Sequence, residues 1–106
     1  MDMQEIEVDE LAARLERGEA TIVDVRRPDE WDEAHIDGAS LVTLDGLADR
    51  LEELPRDETL LVICRSGGRS AVATETLVEA GFDAVNVTGG MLAWIDAGHP
   101  THTGEG

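Results

Sequence analysis

The residues best suited to chemistry stand together in one short segment, Cys64-Arg65-Ser66-Gly67-Gly68-Arg69-Ser70. Cys64 is the only cysteine in the chain, and a cysteine thiolate is a strong nucleophile. The two glycines allow positive φ angles, so that successive backbone N–H groups can converge on one anionic atom. The two arginines add positive charge to the same segment. Together these features predict a reactive thiolate in an anion-binding loop.

A buried strand and a helix must position this loop. The run Leu60 to Ile63 is continuously apolar and free of Gly and Pro, which is typical of a central strand in a parallel sheet. Beyond the loop, the apolar spacing predicts a helix from about Ser70 to Ala80. Ligands collect at the carboxyl ends of parallel strands, and a helix N-terminus favours negative charge. We therefore expect the pKa of Cys64 to lie well below the ~8.5 of a free cysteine.

Short apolar runs alternate with helical patterns along the rest of the chain. This alternation predicts an α/β fold with a mostly parallel central sheet. Further strands are predicted over 4–6, 20–25, 40–42 and 84–87. One helix is predicted to begin at an N-cap, Asp9, and to end at Gly18. Two more helices are predicted over 44–54 and 91–97, and a turn or short helix is predicted over 29–34.

The 106 residues are predicted to form a single domain over 1–106, in which 99–106 is a short tail. The segment Met1 to Glu10 lacks the basic and apolar regions of a signal peptide, and no apolar run reaches the ~18 residues of a membrane span. We therefore expect a cytoplasmic protein, in which a lone cysteine persists as a thiol.

Acidic residues dominate the charge of the chain: 24 Asp and Glu stand against 8 basic residues, all Arg, for a net charge of -16. Cations that would neutralise phosphates are scarce, which argues against nucleic-acid and membrane partners. An acidic excess without lysine favours adaptation to concentrated salt, because a Debye length of about 3 Å at 1 M screens self-repulsion. We therefore expect an acidic, halophilic protein.

Other polar residues receive structural interpretations. Asp24, at a predicted strand end, is expected to anchor neighbouring loops, with Arg69 as one candidate donor, and Arg26 is expected in a structural ion pair. His35 is interpreted as a turn residue rather than a base. His99 and His102 have no third ligand, so we expect no metal site, and a single cysteine excludes a multi-cysteine zinc site. Trp31 and Trp94 are expected to serve packing.

Four motifs in order give the chain a resemblance to the single-domain rhodaneses, which are thiosulfate sulfurtransferase-like proteins. Besides the cysteine loop, these are Asp24-Val25-Arg26, His35-Ile36-Asp37-Gly38-Ala39 and Gly89-Gly90-Met91-Leu92-Ala93-Trp94. Ala34 and Asp37 depart from the family's usual glycine and proline before Gly38. The resemblance covers nearly the whole chain. It implies a rhodanese-like three-layer sandwich, with a central sheet of about five strands flanked by helices.

The resemblance also implies an activity. Cys64 would take the sulfane sulfur of thiosulfate or a similar donor as a persulfide and pass it to cyanide or a thiol acceptor. The substrate-binding residues would be Arg65, Ser66, Gly67, Gly68, Arg69 and Ser70, and no cofactor is implied. Because no second cysteine can resolve the persulfide, the acceptor must come from outside the chain.

Other functions stay open. Phosphatases of the same fold have one more residue in the loop than the four between Cys64 and Arg69, and related arsenate reductases generally need further thiols. Mercaptopyruvate is a less favoured donor, since the two arginines of the loop suit a doubly charged one. The chain is also compatible with a persulfide carrier that exchanges sulfur with protein donors and acceptors in a trafficking pathway.

Overall fold

The computed structural model describes residues 3–104, so residues 1–2 and 105–106 of the predicted domain and tail lie outside the described residues. Five strands form one parallel sheet in the order β1-β5-β4-β2-β3. Their bounds are Glu5–Ile6 (β1), Thr21–Asp24 (β2), Ser40–Leu41 (β3), Leu60–Ile63 (β4) and Ala84–Val87 (β5). The predicted α/β fold with a five-stranded parallel sheet is confirmed.

Helices cover both faces of this sheet. They are Val8–Glu16 (α1), Pro28–Glu33 (α2), Gly68–Glu79 (α3) and Gly90–Asp96 (α4), together with two 3₁₀ helices over Leu44–Asp49 and Leu51–Glu53. Successive strand residues point to opposite faces, so Leu60, Val62 and Cys64 pack toward α3 and the 3₁₀ helices. Leu61 and Ile63 pack toward α1 and α4. The result is a sandwich of three layers.

The central strand β4 places the neighbouring chain segments around its end. β4 pairs with β2 on one side, with Ile63 opposite Asp24, and with β5 on the other, with Val62 opposite Asn86. At one edge of the sheet, β1 pairs with β5. The polar residues Asp24 and Asn86 therefore flank the point where β4 ends and Cys64 begins.

Three details differ from the sequence predictions. The segment 44–54 forms two 3₁₀ helices rather than one α-helix; its leucine pairs 44/47 and 51/54 are each three residues apart, a spacing that suits a 3₁₀ turn as well as an α-helix. Helix α1 has its N-cap at Glu7 instead of Asp9, which places Val8 on the buried face with Leu11. Helix α3 begins at Gly68, two residues earlier than predicted.

Residues 99–104 lie against the domain. The backbones of His102 and His35 exchange hydrogen bonds of 2.8 and 2.9 Å, and the Trp94 indole N–H donates to the Pro100 carbonyl at 2.8 Å. The N–H of Gly104 reaches the carbonyl of Asp32 at the end of α2. Within residues 3–104, no helix has the length and apolar character needed to cross a membrane.

Candidate active site

The loop between β4 and α3 begins with Cys64, which directly follows the last residue of β4. Its side chain is 1% exposed. The sulfur atom Sγ accepts a hydrogen bond from the backbone N–H of Gly67 at 3.1 Å, and it lies 3.2 Å from the hydroxyl oxygen of Ser70. The sulfur therefore sits within the curve of the loop, shielded from bulk water.

The surroundings of Cys64 act on its pKa in two directions. Burial raises the pKa of the thiol, because it disfavours the charged thiolate. Hydrogen bonds from the Ser70 hydroxyl and from the backbone N–H groups of Ser70, Gly67 and Ser66 lower it. Together the hydrogen bonds outweigh burial, so the pKa of Cys64 lies below its ordinary value. The direction agrees with the expectation of an activated thiol.

The shape of the loop depends on Gly67. Its φ of +110° is a conformation that L side chains rarely adopt, and it forms the N-cap of α3. This turn ends the loop early, so that Arg69 and Ser70 already lie in the first turn of the helix. The first turn thereby brings the Ser70 hydroxyl back to Cys64.

Helix α4 holds the first part of the loop through backbone contacts. The N–H groups of Met91 and Leu92 donate to the carbonyls of Cys64 and Arg65 at 2.8 and 3.0 Å. Gly90, with φ of +57°, allows this approach, since a Cβ built there would lie 2.6 Å from the Arg65 carbonyl and closer still to that of Cys64. The glycine pair at the start of α4 is therefore part of the site.

Arg69 is bound by a carboxylate from α2. Its two terminal nitrogens donate to the two oxygens of Glu30 at 2.6 and 2.8 Å, in a bidentate pair. The pKa of Glu30 is lowered to about 2, chiefly by this hydrogen bond from Arg69. The Glu30 side chain is 13% exposed. The pair fastens the start of α3 to α2 and places a negative charge beside Arg69.

Asp24 binds Arg26 and not Arg69. The Arg26 guanidinium donates to both Asp24 oxygens at 2.8 to 3.1 Å, and its backbone N–H donates to the same carboxylate at 3.0 Å. Arg26 also reaches the carbonyls of Glu30 and Ala34 around α2. The suggested contact between Asp24 and Arg69 is therefore wrong, because the two-residue spacing gives Arg26 the nearer and fully buried position. Arg26 occupies the structural ion pair that was expected of it.

The side chain of Arg65 is exposed, as are Ser66 and Gly68. Among residues 3–104, no carboxylate forms an ion pair with Arg65. Its backbone is held by α4, while its guanidinium faces solvent beside the loop. Of the two loop arginines, Arg65 thus has the charge that an incoming anion can use.

A chain of side-chain hydrogen bonds connects Cys64 to the edge of the sheet. The Ser70 hydroxyl lies 2.6 Å from Oδ1 of Asn86, and Nδ2 of Asn86 donates to the Glu5 carboxylate at 3.1 Å. Ser70 and Asn86 are both buried, while Glu5 is exposed on β1. The loop residue Ser70 therefore contacts both the sulfur and a polar residue of β5.

His35 packs against Trp31 of α2. It is 1% exposed, its Nδ1 bonds the carbonyl of Trp31 at 2.8 Å, and its ring stacks on the Trp31 indole with centroids 3.8 Å apart. Trp94 is fully buried in the core. These contacts agree with the packing roles expected of the histidine and of both tryptophans.

Three residues of the site escaped sequence reasoning. Glu30 stands 39 positions from Arg69, and nothing in the acidic run around it singled it out. Gly90 was noticed only as part of a resemblance. Asn86 did leave a signal, since it is the one polar residue in the apolar strand β5 and is nevertheless buried.

The part of the chain that the structure describes contains no group of three or more His, Cys, Asp or Glu side chains arranged to hold a metal ion. The reactive and polar groups at the loop are the Cys64 thiol, the backbone N–H donors around it and the two arginines. These groups suit nucleophilic attack on an anionic donor.

Comparison with protein families gives one match: the model described as Rhodanese-like domain covers residues 7–97. Among curated proteins, the putative sulfurtransferase YtwF of Bacillus subtilis is 37% identical over 95 residues, with 89% of this chain and 92% of that protein covered. The probable adenylyltransferase/sulfurtransferase MoeZ of Mycobacterium tuberculosis is 44% identical over 82 residues. That alignment covers 74% of this chain but only 21% of MoeZ.

Solved structures give the same result for the fold. A rhodanese-related protein from Thermoplasma volcanium matches with a TM-score of 0.89 and 32% identity, covering 93% of this chain and 97% of that one. A rhodanese-like domain protein from Staphylococcus aureus matches with a TM-score of 0.88 and 38% identity, covering 95% and 98%.

Proposed function

Because the chain belongs to the rhodanese-like family, we propose that it is a sulfurtransferase in which Cys64 carries the transferred sulfur as a persulfide. The named relatives support sulfur transfer in general, since YtwF is a putative sulfurtransferase of nearly the same length. The observation that carries the proposal is the position of Sγ, held by the Gly67 N–H and beside the Ser70 hydroxyl at the end of β4.

The reaction has two displacement steps. The Cys64 thiolate attacks the outer sulfur of thiosulfate, the S–S bond of the donor breaks, and sulfite leaves with the bonding electrons. A cysteine persulfide with a negative outer sulfur remains. Cyanide or a thiolate then attacks that outer sulfur, which leaves as thiocyanate or as a new persulfide, and the Cys64 thiolate is restored. The acceptor comes from outside because the chain has no second cysteine.

We assign different roles in binding to the residues of the loop from Arg65 to Ser70. The N–H groups of Ser66, Gly67 and Ser70 act on the sulfur as thiolate, and Gly68 lies between them at the start of α3. Arg65 supplies the exposed positive charge that draws a dianionic donor. Arg69, bound to Glu30, positions the helix start rather than the donor. We propose that this domain acts in the cytoplasm, where a reducing environment preserves the thiol.

Mass spectrometry of the intact protein after incubation with thiosulfate tests the proposal. We expect the mass to increase by one sulfur atom and the added sulfur to disappear on treatment with cyanide, with thiocyanate as product. The Cys64→Ser protein serves as the control and should gain no sulfur. If the unmodified chain gains no sulfur from any sulfane donor but hydrolyses an aryl phosphate, the proposal is wrong.

A persulfide carrier is the second candidate, and one comparison favours it. The putative sulfur carrier protein YrkF of Bacillus subtilis is 35% identical over 92 residues, with 85% of this chain and 50% of YrkF covered. A carrier would load quickly from a cysteine desulfurase and turn over thiosulfate and cyanide negligibly. Steady-state kinetics with thiosulfate, compared with the loading rate from a desulfurase, distinguish the two.

A further inference from the structure

The hydroxyl of Ser70 lies between two groups that both need its hydrogen. On one side is Sγ of Cys64 at 3.2 Å, and on the other is the amide oxygen Oδ1 of Asn86 at 2.6 Å. Ser70 is 0% exposed and Asn86 is 2% exposed. Water therefore does not supply a substitute donor to the side that is left without one.

Cys64 and Asn86 depend on each other because they share one hydrogen, that of the Ser70 hydroxyl. A serine hydroxyl has one hydrogen to donate. While Cys64 is a thiol, its S–H donates to the Ser70 oxygen and the Ser70 hydrogen goes to Asn86, so every group is satisfied. When Cys64 is a thiolate, the best donor available to it is the same Ser70 hydrogen. Turning that hydrogen to the sulfur leaves the buried Asn86 oxygen without a donor, which costs free energy.

Glu5 fixes which atom of Asn86 faces the serine. Its carboxylate can only accept, so it holds the NH₂ group of Asn86, at 3.1 Å, and directs Oδ1 toward Ser70. The pairing of β1 with β5 places Glu5 and Asn86 side by side in the sheet. The amide is thus prevented from turning to offer its NH₂ group to Ser70.

We propose that Asn86, oriented by Glu5, is a positioning residue that competes with Cys64 for the hydrogen of Ser70 and so limits how readily the sulfur becomes a thiolate. The inference rests on the proposed function only in taking Cys64 as the reactive sulfur. It also gives Ser70 a movement in the catalytic cycle. Once the charge has passed to the outer sulfur of the persulfide, Sγ no longer needs the hydrogen, and Asn86 receives it again.

Replacing Asn86 by valine removes the competing oxygen with a residue that suits a buried strand. Because Cys64 is the only cysteine, thiolate absorbance at 240 nm titrates that group alone. We expect the pKa of Cys64 to fall by about one pH unit, on the scale of one hydrogen bond to a charged group. At a pH below both values, alkylation by iodoacetamide should then be about tenfold faster.

The Ser70→Ala background separates this effect from a general change in packing. Ser70→Ala should by itself raise the pKa of Cys64, because it removes the hydroxyl donor. Adding Asn86→Val to it should then change neither the titration nor the alkylation rate, since the hydrogen they compete for is gone. An equal shift in both backgrounds, or no shift in either, would overturn the proposal.

Two variants of Glu5 test the same point from an exposed site, where folding is not at risk. Glu5→Ala frees the amide to turn and should lower the pKa of Cys64 in the direction of Asn86→Val. Glu5→Gln keeps an accepting oxygen and should titrate like the unchanged protein. Identical titrations for all three would contradict the role of Glu5. No sulfur donor is used in these titrations, so their outcome is independent of whether the chain transfers sulfur.

Discussion

The two halves of the cysteine loop are held in place by different means. The first half, Cys64 and Arg65, is bound through its backbone carbonyls by N–H groups of α4, against Gly90. The second half, Arg69 and Ser70, is bound through its side chains by Glu30 and Asn86. Both halves are rigidly placed, but only the second uses its functional groups for support.

This difference assigns distinct roles to the two arginines. Backbone support leaves the guanidinium of Arg65 in solvent, free to meet an anionic donor. In the second half of the loop, both terminal nitrogens of Arg69 donate hydrogen bonds to the Glu30 carboxylate. Residues of the same type, four positions apart in one loop, thus differ in exposure and in pairing because of what packs against them.

The largest effect is expected from breaking the backbone support with Gly90→Ala. The new Cβ would overlap the carbonyls of Cys64 and Arg65, and φ of +57° adds strain of its own. We expect a loss of about 3 kcal/mol in the free energy of unfolding, together with nearly complete loss of persulfide formation. Urea denaturation and the sulfur-loading assay measure the two effects.

Gly98→Ala is the matched control for that change. Gly98 also has a positive φ, of +82°, and terminates the same helix, but no heavy atom lies within 4 Å of its added Cβ. It should lose about 1 kcal/mol and load sulfur normally. Equal effects of the two substitutions would show that strain alone, and not contact with the loop, explains Gly90.

An intermediate effect is expected from breaking the side-chain support with Glu30→Gln. Near neutral pH the variant should lose about 1 to 2 kcal/mol of unfolding free energy, because Arg69 loses its charged partner. The folded pKa of Glu30, about 2, lies below its ordinary 4.5. Its contribution is therefore complete above about pH 4.5 and disappears as the pH falls toward 2.

Acid denaturation followed by circular dichroism checks this window. The unchanged protein should lose more stability between pH 4.5 and 2 than Glu30→Gln does. Asp29→Asn, in the neighbouring pair whose side chains are 67% and 70% exposed, should leave stability near neutral pH unchanged. The same acid profile for the parent and Glu30→Gln would argue against a supporting role for the pair.

The smallest effect is expected from Arg65→Gln, which removes charge without removing support. The KM for thiosulfate should rise about tenfold, with little change in kcat or melting temperature, since one exposed charge contributes about 1.4 kcal/mol to donor binding. Arg17→Gln removes an equal charge from the end of α1, where its side chain is 52% exposed, and should leave KM unaltered. If Arg65→Gln lowers the melting temperature and leaves KM constant, Arg65 supports the fold and does not bind the donor.

Much of the fold was predictable because its signals are local. The apolar runs of β4 and β5 and the glycines around them give the sheet and place Cys64 at a strand end. The segment 44–54 was predicted less well, because leucines three residues apart, as in the pairs 44/47 and 51/54, suit both helix types. The N-cap of α1 shifted for a similar reason, since burial of Val8 outweighs the capping preference of Asp9.

The loop around Cys64 was predictable from the sequence, but the residues that support it were not. Cys64, Gly67 and Ser70 lie within one short segment, so their spacing alone indicates a loop around a sulfur. Glu30 and Asn86 come from other elements, and their distance from the loop along the chain hides the contact. The partner of Asp24 was predicted wrongly for the same reason. Arg26, two positions away, binds the Asp24 carboxylate, and the more distant Arg69 does not.

The strand order also sets the order in which the chain can fold. In the part of the chain that the structure describes, β1 pairs with β5 alone. Glu5 contacts Asn86, which lies 81 positions further along the sequence. Contacts between such distant residues form late, because a long loop must close first. During synthesis, Glu5 leaves the ribosome long before Asn86, so the two residues can pair only after β5 has emerged. A nascent chain therefore completes the hydrogen-bond chain from Glu5 through Asn86 and Ser70 to Cys64 at a late stage.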